Sequence, residues 1–98
     1  MTLSDFKSTL SADTPPDLPA PLLRALWYDA KGNWERAHEI AQDIPGADGA
    51  WVHAYLHREE GDEWNANYWY RRAGRTMPDQ TLEEEWEAIV QELLGRVG

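Results

Sequence analysis

Apolar positions along the chain recur every three or four residues and never alternate over the length of a strand, which is the pattern of an all-α protein. Leu22, Leu26 and Ala30 share one stripe with Leu23 and Trp27 beside it, predicting a helix over about Pro21–Lys31. Gly32 ends it, and Asn33 is placed to cap a second helix, Trp34 to about Ile44. There Trp34, Ala37, Ala41 and Ile44 repeat at helical spacing before Pro45 and Gly46 stop the run. Asp48 suits the cap of a third helix, about Gly49–Glu60. Its AWVHAYLH stretch has scarcely a polar side, and a helix apolar most of the way round belongs inside a structure. The Gly61-Asp62 turn leads into a fourth helix, Glu63 to about Arg75, with Ala66, Trp69, Tyr70 and Ala73 as its buried face. Met77 and Pro78 close it. Thr81, with Glu84 three residues on, makes a capping box for a last helix from Leu82 to about Arg96, which Leu82, Trp86, Ile89 and Leu93 line on one face.

Residues 1–20 read as a partly irregular lead-in. A short helix from Ser4 to about Leu10 carries Phe6 and Leu10 on one side, and TPPDLPAP then breaks it, because four prolines between positions 15 and 21 favour extended backbone. Residues 21–98 form a single domain of two antiparallel helical hairpins, 21–44 and 49–75, with a capping helix over 82–96. The hairpins echo each other. Ala25, Tyr28, Gly32, Ala37 and Ala41 have counterparts 29 residues on in Ala54, His57, Gly61, Ala66 and Tyr70, a small-large-small scheme met twice.

Gly61-Asp62-x3-Ala66-x3-Tyr70-x2-Ala73-x4-Pro78, preceded by Ala54, resembles the second half of a tetratricopeptide repeat. The NANYWYRRAG wording resembles the related Sel1-like repeat, and the match covers roughly residues 21–78. Two departures stand out: the offset is 29 residues, and His57 takes the place of the aromatic seen at Tyr28. WVHAYLHREEGD…NANYWYRRAG is also similar to a group of short bacterial proteins. The resemblance implies a two-hairpin array whose inner helices bind peptide segments of other proteins, with Trp51, Tyr55 and Arg58 facing the groove.

Charge narrows the partners. A net charge of −9 argues against nucleic acid and anionic membrane surfaces, since both demand a basic field. The imbalance is local: residues 79–98 hold six acids against Arg96, whereas Arg71, Arg72 and Arg75 cluster. The acids at 83–87 read as a solvated face that complements the helix dipole. With no cysteine there is no disulfide framework or thiolate metal site. The N-terminal residues lack an apolar run of signal-peptide length, and no stretch suits a membrane span, so a cytoplasmic protein is the expectation.

Candidate chemistry lies on the third and fourth helices. Trp51, Tyr55 and Arg58 form one aromatic-and-arginine stripe, and Trp64, Tyr68, Arg71 and Arg75 a second; both have the composition of binding hot spots, and both also suit packing or a solvated face. His53, His57 and Glu60 share a face one turn apart, a geometry for a metal ion, against which stands the ordinary role of half-buried imidazoles bonded to carboxylates. The spacing is not the HExxH of metalloproteases, and no glycine-rich phosphate loop follows a strand. The expectation is therefore a non-enzymatic module with no cofactor, binding a protein or peptide that carries acidic or aromatic groups. The alternatives are a metal- or small-molecule-binding sensor or enzyme built on the histidine face, and a self-assembling homodimer.

Overall fold

The computed structural model describes residues 1–97 of the chain. Among them every regular element is helical. α1 (Leu3–Ser8) continues into a 3-10 turn (Thr9–Ser11), and α2 (Pro21–Ala30), α3 (Trp34–Gln42), α4 (Ala47–Glu59), α5 (Glu63–Arg72) and α6 (Leu82–Val97) follow. No helix among the described residues is long and apolar enough to cross a membrane.

The turns at the heart of the 29-residue echo are built alike. Gly32 and Gly61 stand at φ 86° and 87°, a conformation that costs glycine little and other residues more. The residue after each glycine donates its N–H to the carbonyl five residues back, Asn33 to Tyr28 at 2.8 Å and Asp62 to His57 at 2.9 Å. Asn33 and Asp62 then cap the next helix by accepting from the N–H of Arg36 and of Asn65, each at 3.2 Å. These reversals lay α2 on α3 and α4 on α5. Ala25, Ala37, Ala54 and Ala66, all fully buried, let the helices approach closely.

Helix α4 is the central element, buried at every residue from Gly49 to Leu56 and packed on α2, α3, α5 and α6. It begins earlier than Asp48 suggests. Gly46 is its N-cap, and Asp48 lies in the first turn, where its carboxylate meets Arg96 at 2.9 Å. Helix α3 stops at Gln42 rather than Ile44, and α5 at Arg72 rather than Arg75, because Gly74 at φ 74° turns the chain.

The first twelve residues are docked more firmly than an irregular lead-in. Phe6 is fully buried with its ring tilted against Trp86 of α6 at 5.8 Å, and Lys7 pairs with Glu87. The Lys31 ammonium donates to the carbonyls of Leu10 at 2.7 Å and Ala12 at 3.0 Å. At the other end, Thr81 and Glu84 form the capping box with bonds of 2.9 and 3.1 Å. Trp86, Ile89 and Leu93 face the core, whereas Leu82 stays exposed.

Candidate functional site

The stripe of Trp51, Tyr55 and Arg58 points into the protein rather than across a groove. Trp51 and Tyr55 are buried to 6% and 2% exposure, so neither ring is available as a docking anchor. Behind Trp51 and Arg58 lies Glu85, which composition places on a solvated acidic face and which the fold buries to 1%. A buried carboxylate demands donors. Glu85 receives the Trp51 indole N–H at 3.2 Å, the Arg58 guanidinium at 2.8 Å and the Tyr70 hydroxyl at 2.7 Å. Arg58 also donates to the Gln80 carbonyl. Arg75 lies 3.4 Å from the centre of the Trp51 ring and reaches Glu92 at 2.8 Å. Glu85 stands one helical turn before Ile89, and that spacing is the sequence signal for its inward position.

Beside Tyr55, Asp29 of α2 and Glu59 of α4 face each other as a carboxyl pair. Burial pushes Glu59 up to about 9, and the hydrogen bond and charge of Asp29 reinforce it, so the pair retains a proton. The Tyr55 hydroxyl is held well above its usual range, first by burial and then by Asp29, Glu59 and Glu85.

The second stripe lies outside. Trp64 is 75% exposed and Tyr68 39%, their rings parallel to within 9° and 6.5 Å apart. Arg72 covers Tyr68 and Trp69 with its guanidinium 5.7 and 5.2 Å from the two ring centres. Arg71 is exposed beside it. Arg75, placed with this stripe by periodicity, is instead drawn over Trp51.

All three histidines of the chain converge between α3 and α4. His53 and His57 stack on one face of α4, with ring centres 4.9 Å apart. His38, which periodicity alone does not single out, comes across from α3 and brings its Nε2 to 3.0 Å from Nε2 of His53. Two tryptophans flank the group: Trp34 stacks on His38 at 4.8 Å and Trp69 on His53 at 4.0 Å. Glu60 sits to the side rather than within the set, its carboxylate 2.7 Å from His57 Nδ1. Burial, together with His38 and His57, pushes His53 down to about 4. Burial and His57 lower His38, partly offset by Glu60. Burial thus favours the neutral form of both rings, and across the 3.0 Å contact one Nε2 donates its N–H to the lone pair of the other.

A cleft of about 570 Å³ opens next to this cluster, lined by His53 and Trp69 together with Gln42, Gly46, Ala50 and Arg72. The site thus combines a group of three imidazoles suited to holding a cation and an exposed aromatic-arginine face one helix away. Comparison of the chain with protein-family models, with curated proteins and with solved structures finds no match.

Proposed function

We propose that the chain is a small helical-repeat module, its helix pairs arranged in the manner of tetratricopeptide and Sel1-like arrays, which docks an acidic segment of another protein on the outward face of α5. The exposure of Trp64 carries this reading. Of the six tryptophans, Trp27, Trp51 and Trp86 are buried and Trp34 and Trp69 half-buried, whereas Trp64 stands 75% in solvent. Keeping so large a ring wet forgoes a substantial burial gain, and a docked partner recovers it.

Charge selects the partner. Lys7, Arg36, Arg58, Arg75 and Arg96 each meet a carboxylate, whereas Arg24, Lys31, Arg71 and Arg72 meet none among the described residues, and of these four Arg71 and Arg72 stand on α5 with Trp64 and Tyr68. Tryptophan, tyrosine and arginine together are the residue types that dominate binding hot spots. The complementary segment presents aspartate or glutamate to Arg71 and Arg72 and an aromatic or aliphatic side chain to Trp64 and Tyr68.

Panning a displayed random-peptide library on the purified protein tests this. Enrichment of peptides that combine acids with aromatic residues is expected, with affinity weakening as salt rises. Trp64→Ala with Tyr68→Ala should lower that affinity at least tenfold without shifting the melting temperature, since both rings are exposed. Unselective recovery, or equal binding to the double variant, overturns the proposal. Sedimentation showing a dimer that Trp64→Ala dissociates overturns it too, by assigning the face to a second copy of this chain.

A further inference from the structure

We propose that His38, His53 and His57 together bind one divalent transition-metal ion of the zinc class, with Glu60 orienting His57 from behind. This is a second site, separate from the docking face of α5.

Convergence is the first ground. The three imidazoles come from two helices, and one ligand nitrogen of each lies within 4.8 Å of the others. In a tetrahedral zinc site with metal–nitrogen bonds of roughly 2.0–2.1 Å, neighbouring ligand nitrogens stand about 3.3 Å apart. His38 and His53 are already at 3.0 Å, and loading requires the proton between them to move to the Nδ1 of its own ring and the His57 nitrogen to close in from within 4.8 Å.

The surroundings of His57 are the second ground. Its Nδ1 faces the Glu60 carboxylate at 2.7 Å, so the ring donates N–H there and turns the lone pair of Nε2 to the other side. A carboxylate holding the far nitrogen of a histidine is the usual outer support of a metal ligand: it fixes the tautomer and strengthens the donor. Asp62 is also within reach of His57 and Glu60 but is engaged elsewhere. Its carboxylate caps α5, accepting from the Asn65 N–H at 3.2 Å and from the Asn65 side chain at 2.6 Å.

Enclosure is the third. Trp34 and Trp69 stack on the outer rings, and Trp34 is itself fixed by its indole N–H donating to the Leu56 carbonyl at 2.8 Å. The imidazoles are therefore held on packed helices, His53 buried and His38 and His57 half-buried, with the cleft beside His53 and Trp69 as a route of entry. Three imidazole nitrogens with no thiolate suit zinc, nickel or copper over magnesium or calcium, which take oxygen ligands.

Titration calorimetry of the untagged full chain with zinc chloride at neutral pH tests the site, with cobalt(II) absorption as a second readout of coordination. One ion per chain is expected, together with the intense visible bands of tetrahedral cobalt. His38→Gln and His57→Gln should each weaken binding by at least tenfold, and Glu60→Gln by about 10- to 100-fold. Circular dichroism establishes that each variant is folded. If the buried His53→Gln fails to fold, the two less buried variants still decide the matter. Absence of zinc binding at millimolar metal overturns the proposal, and so does binding that His38→Gln and His57→Gln leave unchanged, which would place the ion on surface carboxylates.

Discussion

At the scale of single residues, Glu85 holds the interior together. Removing one partner of a buried ion pair strands the other, so Glu85→Ala should cost about 3 kcal/mol in urea unfolding, the low end for such pairs because Arg58 keeps some contact with water. A loss below about 1 kcal/mol would show that the three donors find other acceptors. Two further groups on α4 make stability depend on pH in opposite senses. His53, faced by His38, His57, Trp69 and Arg72, falls from the usual 6.5 to about 4, so between those values the unfolded chain binds more protons and stability drops as pH falls. Glu59, faced by Asp29, Tyr55, Lys7, Glu83 and Glu87, rises from 4.5 to about 9. The folded chain there holds more protons, and stability drops as pH climbs through that range. Urea unfolding across a pH series should give a dome, and Glu59→Gln should flatten its alkaline limb alone. An unaltered profile in that variant refutes the assignment. The pairing of His53 with His57 was legible from a spacing of four, whereas His38 was not, since only the packing of α3 on α4 brings it near. Glu85 was hidden by its acidic neighbours, although it shares a stripe with Ile89.

At the scale of elements, the helices were legible because apolar spacing, glycine stops and capping residues agree, as at Gly32-Asn33 and Gly61-Asp62. The ends were less so. The start of α4 is set by a contact that no periodicity reveals: a Cβ on Gly49 would stand 2.0 Å from the Ile44 carbonyl oxygen, so this turn of helix passes directly against the preceding loop. Gly49→Ala should therefore force the loop away and cost about 1–3 kcal/mol, despite the better helix propensity of alanine. A melting temperature equal to or above the parent's would show that the loop yields freely. The inward turn of Trp51 and Tyr55 belongs to this scale too. On a helix packed on four others the Trp51 and Tyr55 stripe is covered, and the all-round apolarity of α4 already carried that message.

At the scale of the whole molecule, the two ends of the described chain are packed together, for α1 lies on α6 through Phe6 and Trp86. Phe6→Ala should cost about 3–5 kcal/mol, a core-sized loss from a segment whose sequence reads as a lead-in. A loss within 0.5 kcal/mol would show the segment to be an ornament on a self-sufficient bundle. Glu85 in α6 sets an order of events during synthesis as well. Trp51, Arg58 and Tyr70 are made before α6 and have their shared acceptor only once it has emerged, and Phe6, made before them, awaits the same helix. A nascent chain halted at residue 81 would therefore carry an unmatched arginine and uncovered rings, a form for chaperones to shield, and the native state would lock into place late and in one step.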